Sequence, residues 1–341
     1  MSDEKIYIRM KTKIVYSIVS DSSDIFLEQL LVSLYSLRMH NPQVHVTVVM
    51  DKNTKDTLVE DRTECLKYID ETIVVDVPED YSKKMRSRFI KTQLRKYVTG
   101  DILFIDSDTV ITCPLDEIDD IIKQDADIYM VLDEHTTYSK HNSPYIDKLK
   151  KMGWDHLYKS YHPYFNSGVM LMKDNESTRK FSELWYTNWL FEGTKGFVFD
   201  QLALFYTLST NNFSVRELPG EWNCQINRDC TKYLGKSKII HYFNSRSKVS
   251  IYPSVKYFLY GEQPFSNIKN NGGRLTENIL YGLSHPKLSF IFPDVTDVVS
   301  CIKERESDVH SLFLSKPRLW RILEYEASLI RRVGLLLRKS R

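Results

Sequence analysis

The residues best able to do chemistry are Asp106 and Asp108, which stand two apart at the end of a short apolar run, Ile102 to Ile105. Carboxylates are hard oxygen ligands, suited to Mg²⁺ or Mn²⁺ bridging to substrate phosphates. The plainer reading is an acidic turn after a strand, because Asp and Ser are ordinary turn residues. Far downstream, His241 lies near the end of Lys238-Ile-Ile-His-Tyr-Phe. Its imidazole could join the two carboxylates, a donor set that suits Mn²⁺ somewhat better than Mg²⁺. A histidine at a strand end is more often a satisfied core residue. Asn166-Ser167-Gly168 interrupts an apolar run; its glycine either lets a ligand approach the backbone or marks a bulge. Asp200-Gln201 opens a helix, where an acid is already favoured as a cap or by the helix dipole.

These groups need elements to hold them. Lys13 to Ser20 is rich in β-branched residues and predicts a strand. Asp21 to Asp24 makes a turn, with Asp24 placed to cap a helix over about Ile25 to Met39. Val44 to Met50 predicts a second strand, followed by polar residues and a helix to about Ile69. Ile73 to Val77 predicts a third strand. Strand-helix-strand-helix-strand implies a parallel, doubly wound sheet. Ser87 to Tyr97 reads as a basic helix leading into Ile102–Ile105, whose continuous apolar character fits a strand covered on both faces. Ile128 to Leu132 and Tyr164 to Met172 predict further strands, the second interrupted at Asn166-Ser167-Gly168. A helix carrying Phe181, Leu184, Trp185 and Trp189 follows, then another over Phe199 to Leu208. The stretch from His135 to Pro163 has no clear period, and beyond Tyr252 no element is assigned. In open α/β sheets ligands collect where strands end, which makes the acidic pair a candidate site.

Taken in order, Asp106-Ser107-Asp108, Phe165-Asn166-Ser167-Gly168-Val169-Met170-Leu171, Asp200-Gln201, Trp222-Asn223 and His241 resemble glycosyltransferase family 8. That family includes bacterial lipopolysaccharide α-galactosyl- and α-glucosyltransferases and glycogenin. The resemblance runs from about Ile14 to Lys248. It implies a GT-A fold, with a Rossmann-like, mostly parallel central sheet and helices on both faces. It also implies a retaining enzyme that moves a hexose, galactose or glucose, from a UDP-sugar. By that resemblance Asp106, Asp108 and His241 hold Mn²⁺ or Mg²⁺, and Ser107 faces the ribose. Ser20 and Asp21 contact uridine, and Lys91 touches donor phosphate or sugar. Asp133, Asn166 and Ser167 hold donor-sugar hydroxyls, and Asp200 and Gln201 flank the anomeric carbon. The family usually follows its histidine with Gly and then Lys-Pro-Trp. Here the run is His241-Tyr-Phe-Asn-Ser-Arg-Ser-Lys, which leaves Asn244, Ser245 or Lys248 to grip the diphosphate.

Length and composition set wider limits. The chain has 341 residues, 42% hydrophobic and 27% charged, the profile of an ordinary globular protein. Residues 1–250 are expected to form the nucleotide-sugar-binding catalytic domain, 251–314 an acceptor-side extension, and 315–341 a basic amphipathic helix. The last segment carries eight basic residues against Glu324 and Glu326, so most of the basic character is local and a nucleic-acid partner is not expected. Leu319, Ile322, Leu323, Leu329, Ile330, Val333 and Leu337 recur there at helical spacing, a pattern that suits either an anionic membrane interface or packing on the protein. Trp222, Tyr252, Tyr257, Phe258 and Tyr260 are sugar-stacking candidates, though aromatics more often fill cores. Five scattered cysteines and a polar first ten residues lead to the expectation of a cytoplasmic protein, peripheral at most on the inner face of the plasma membrane. The acceptor is expected to be a saccharide or a lipid-linked saccharide. A metal-dependent nucleotidyltransferase or phosphohydrolase, and a non-catalytic carbohydrate-binding protein, are the alternatives.

Overall fold

Runs of β-branched and aliphatic residues build the centre of the molecule. The computed structural model describes residues 10–135, 144–154, 156–157, 163–226, 233–242, 263–289 and 325. In order come β1 (Lys13–Ile18), α1 (Phe26–His40), β2 (Val46–Asp51), α2 (Lys52–Asp56), a 3-10 helix (Glu60–Tyr68) and β3 (Glu71–Val75). Next are α3 (Lys83–Thr92), α4 (Leu94–Tyr97), β4 (Ile102–Ile105), β5 (Thr109–Ile111), α5 (Ile118–Ile121) and β6 (Ile128–Leu132). Then follow α6 (Pro144–Met152), β7 (Phe165–Met172), α7 (Glu176–Thr194), α8 (Gln201–Thr210) and β8 (Val215–Glu217). The described elements close with β9 (Cys224–Gln225), β10 (Ile239–His241), α9 (Gln263–Asn270), α10 (Glu277–Ser284) and α11 (Pro286–Ser289). All belong to one compact unit, Met1–Pro293; a second unit is Asp294–Arg341, of which only Tyr325 is described. The expected tail helix therefore lies outside the described residues.

The seven-stranded central sheet has the order β3-β2-β1-β4-β7-β6-β8. β1 pairs in parallel with β2 on one side and with β4 on the other. The chain thus winds outward to β3 and then crosses back, and the order reverses between β1 and β4. A crevice forms outside the carboxyl ends of two such strands. Those ends lead into Ser20-Asp21 and into Asp106-Ser107-Asp108. One sheet face, through Val15, Ile102 and Phe104, packs on Phe89, Ile90, Leu94, Phe181 and Trp185 of α3, α4 and α7. The other face meets α1, where the Tyr16 hydroxyl lies 3.0 Å from Ser33 Oγ. Helices on both faces of a mostly parallel sheet are as expected; β7, antiparallel to both β4 and β6, is the exception within it.

Several local expectations are corrected. β7 runs without interruption through Asn166-Ser167-Gly168, and the register shift sits in its neighbour β6, between Met130 and Leu132. The basic helix starts earlier, at Lys83 behind a Ser82 cap, and breaks at Gln93 into α3 and α4. The stretch expected to be helical up to Ile69 is α2 followed by the 3-10 helix. Asp24 is not the N-cap of α1; Ile25 is, with no side-chain bond. Asp24 instead turns back, accepting from Ser20 Oγ at 2.7 Å while also reaching the Phe26 amide at 3.1 Å.

The lead into β4 is fastened electrostatically. Gly100 turns with φ +84, a left-handed conformation that favours glycine. Asp174, just after β7, accepts from the Gly100 amide at 2.6 Å and from Arg95 Nη2 at 2.8 Å. The Arg95 side chain is 0% exposed and also donates to the Gly100 carbonyl at 2.8 Å. Removing one partner of a buried pair strands the other charge. Asp174→Ala is expected to lower the unfolding free energy by about 2–3 kcal/mol in urea denaturation, under the full cost of a buried pair because Asp174 is 25% exposed. An unchanged midpoint and slope would contradict this account of the strand's anchorage.

Candidate functional site

Asp106 and Asp108 occupy the turn between β4 and β5, and this turn is held from two directions. The Asp106 amide donates to the Gly168 carbonyl of β7 at 2.8 Å, and the Tyr242 amide donates to the Asp108 carbonyl at 2.8 Å. β5 pairs antiparallel with β10, with Thr109 opposite His241. That register carries His241 to the acidic pair from far along the chain. His241 Nε2 lies 3.2 Å from Asp108 Oδ1. Asp106, Asp108 and His241 each offer one ligand atom, and these atoms all lie within 4.8 Å of one another. Two hard oxygens and one imidazole nitrogen form a donor set fit for Mn²⁺ or Mg²⁺. Burial opposes the charge on Asp108, but His241, together with a backbone hydrogen bond and Lys91, holds the carboxyl below its ordinary value.

Lys91, buried on α3, sits beside the same corner. Its Nζ donates to Asp106 Oδ1 at 2.9 Å and to Oδ2 at 2.8 Å. Ser107 and Asp108 border a narrow gap lined also by Gln29, Thr109, Tyr242 and Phe265.

The polar triplet of β7 is buried, and its side chains bind others remote in sequence. Asn166 Nδ2 donates to Asp133 Oδ1 at 2.8 Å, and Asn166 Oδ1 accepts from the Gly168 amide at 2.8 Å. Asn223 Nδ2 donates to Asn166 Oδ1 at 2.9 Å, while Asn223 Oδ1 lies 2.9 Å from His241 Nδ1. A Cβ on Gly168 would fall 2.2 Å from His241 Cε1, so the glycine is there to admit the imidazole ring. Asn223 belongs to the family pattern, but nothing local to Trp222-Asn223 points toward His241.

Asp200 precedes α8 but makes no cap bond with its side chain. Arg88 Nε donates to its Oδ1 at 3.1 Å and Ser167 Oγ to its Oδ2 at 3.4 Å. Burial works against ionisation, yet Arg88 and Lys91 more than offset it, and Asp200 lies below its ordinary value. Nearby, burial and the Asp200 charge push the Glu192 carboxyl up to about 9, so Glu192 is neutral at pH 7 and Asp200 keeps the charge. Gln201 Nε2 donates to the Phe165 carbonyl, tying α8 to β7. Arg88 was missed as a functional residue. The only signal for it was the basic character of its helix.

At the end of β1, the Ser20 hydroxyl donates to Asp24 and accepts from Arg62 Nη2 at 3.2 Å. Arg62 Nη1 also donates to the Asp21 carbonyl at 3.0 Å. Lys83 Nζ lies 2.5 Å from Asp21 Oδ2, and this bond, with help from Ser23, holds Asp21 well below the usual carboxylate range. Trp222 is 1% exposed and is core, which removes it as a sugar platform. Lys248, Asn244, Ser245, Tyr252, Tyr257, Phe258 and Tyr260 lie outside the described residues.

The family model for Glycosyl transferase family 8 matches residues 17–249. No curated protein matches the chain. Similar solved structures include the galactosyltransferase LgtC in complex with donor and acceptor sugar analogues, at 15% identity and TM-score 0.46 over 80% of this chain and 100% of that one. Mouse xyloside xylosyltransferase 1 in its apo form gives 13% identity and TM-score 0.46, covering 69% of this chain and 97% of that one. The glycosyltransferase GlyE of Streptococcus pneumoniae TIGR4 gives 13% and 0.48, covering 83% and 65%.

Overpacking a filled interior costs about 1–3 kcal/mol, so Gly168→Ala is expected to lower thermal stability by that order and to push His241 off the acidic pair. Circular dichroism melts and Mn²⁺ titration check it. A variant that melts and binds Mn²⁺ as wild type does would show that the ring is not seated as described.

Proposed function

The chain belongs to glycosyl transferase family 8 and is a glycosyltransferase, and from that membership we propose a metal-dependent, retaining hexosyl transfer from a UDP-sugar to a glycan or lipid-linked saccharide. The observation that carries the proposal is the meeting of Asp106, Asp108 and His241 within 4.8 Å, at the sheet edge where the strand order reverses. A divalent cation held there would offset charge on a departing diphosphate as a Lewis acid.

The chain's own side chains supply the rest. Lys91, now spent on Asp106, is within reach of any phosphate drawn to the same corner and can transfer its bonds to it. Asp133 and Asn166 offer acceptor and donor groups for sugar hydroxyls. Asp200, kept anionic by Arg88, favours positive charge developing at the anomeric carbon. In front-face transfer the bond from anomeric carbon to phosphate oxygen breaks as the acceptor oxygen bonds on the same face. The acceptor proton leaves with the departing phosphate oxygen, and no protein nucleophile is required. Ser20 and Asp21 would take the uridine end, their turn stiffened by Arg62 and Lys83.

The acceptor proposal includes a lipid-linked saccharide because the basic, apolar-striped segment 315–341 suits an anionic surface. Among the described residues no helix is long and apolar enough to cross a membrane.

A panel of nucleotide sugars with Mn²⁺, scored for donor hydrolysis without acceptor, tests the reading. Cleavage of a UDP-hexose is expected, abolished by chelator and lowered at least about a hundredfold in Asp108→Asn. Turnover unchanged in the variant would sink the metal assignment. Release of pyrophosphate or free phosphate without sugar transfer would identify a nucleotidyltransferase or phosphohydrolase instead.

A further inference from the structure

A neutral histidine has one N–H and one lone pair, and only the lone pair can bind a cation. In this site the nitrogen that faces the acidic pair is Nε2, 3.2 Å from Asp108 Oδ1. Nε2 can therefore serve as a ligand only if the proton sits on Nδ1. That nitrogen meets the side-chain amide of Asn223 at 2.9 Å. An amide has two ends. With its oxygen toward the ring it fixes the proton on Nδ1; with its nitrogen toward the ring it would drive the proton to Nε2 and close the site.

The choice between these ends is made by a group whose role cannot reverse. A backbone amide can only donate, and the Gly168 amide takes Asn166 Oδ1 at 2.8 Å. At the other end of the same amide, Asp133 Oδ1 accepts from Asn166 Nδ2 at 2.8 Å. Both bonds orient Asn166 the same way. Its fixed oxygen then accepts Asn223 Nδ2 at 2.9 Å, which leaves Asn223 Oδ1 on His241 Nδ1. Asn166, Asn223, His241 and Asp133 are all buried, so water does not readily substitute for a missing link.

We infer that Asn223 is a positioning residue that holds His241 with its proton on Nδ1, so that Nε2 is presented to a divalent cation. This rests on the metal reading of the site. Gly168 stands at the head of the relay and bears on both ligands. Its carbonyl holds the Asp106 amide, its amide starts the relay, and its missing Cβ admits the ring. A partner that orients a metal-binding histidine is worth about 10- to 100-fold in metal affinity.

The test uses the full chain and two readouts. In protein saturated with diamagnetic Mg²⁺ and labelled with ¹⁵N-histidine, long-range ¹H–¹⁵N correlation is expected to show a proton on Nδ1 of His241 and none on Nε2, which faces Asp108. A bare Nδ1 with the proton on Nε2 overturns the inference, whether or not any variant folds. Mn²⁺ binding without nucleotide, followed by electron paramagnetic resonance of the free ion, is the second readout. Asn223→Leu, which removes the acceptor at similar volume, is expected to lose about 10- to 100-fold in affinity. Asn223→Asp, which still accepts from Nδ1–H although it loses the donor to Asn166 Oδ1, is expected to lose clearly less affinity than Asn223→Leu. Equal losses in both variants, or no loss in Asn223→Leu, overturn the positioning role. A wild-type chain that binds no Mn²⁺ overturns the metal reading itself, a failure separate from a misplaced proton.

Discussion

Carboxylates gathered at one edge of a sheet repel one another and resist burial, and each needs a counter-charge to remain ionised. Here one helix supplies four of them. From α3, Lys83 reaches Asp21 after β1, Arg86 reaches Asp51 at the end of β2, Lys91 reaches Asp106 after β4, and Arg88 reaches Asp200 before α8. The nucleotide-facing turn, the metal corner and the sugar side of the proposed site are thus all paired with one rigid element. α3 in turn is fixed by Phe89 and Ile90 in the core it shares with β1, β2 and α7. Displacing that helix would disturb every charged corner of the site together.

The second constraint is a directional one. Charge pairing tolerates some motion, whereas the β7 triplet works through hydrogen bonds whose donors and acceptors are set by the backbone. Asn166, Ser167 and Gly168 face Asp133, Asp200 and His241, groups contributed by three other parts of the chain. A strand with polar side chains buried on it is costly unless each is satisfied. This one is satisfied by the site itself, so the binding geometry and the stability of β7 come from the same bonds.

Much of this was legible in the sequence. The apolar run before Asp106 announced a covered strand, and the alternation of strands and helices up to β4 announced the sheet. What escaped was whatever depended on partners far along the chain. Asn166-Ser167-Gly168 resembled a break because small polar residues usually end strands, and their buried partners could not be seen. Asp24 and Asp200 looked like caps, since local propensity favours an acid there, yet tertiary cations and hydroxyls claim both side chains. His241 could be offered as a ligand from its chemistry and was assigned as one by the family pattern; its arrival beside Asp108 depends on its pairing with Thr109, a register no local signal encodes. The helix Pro144–Met152 was hidden in a stretch with no clear period.

The proposed chemistry requires that the acidic pair and His241 Nε2 share one cation. Anomalous diffraction at the manganese edge, from crystals grown with Mn²⁺ and UDP, measures this directly. One manganese peak within bonding distance of Asp106, Asp108 and His241 Nε2 is predicted, with Lys91 turned from Asp106 toward phosphate. A peak elsewhere, or a bound nucleotide with the Lys91–Asp106 pair intact and no manganese beside His241, would contradict it.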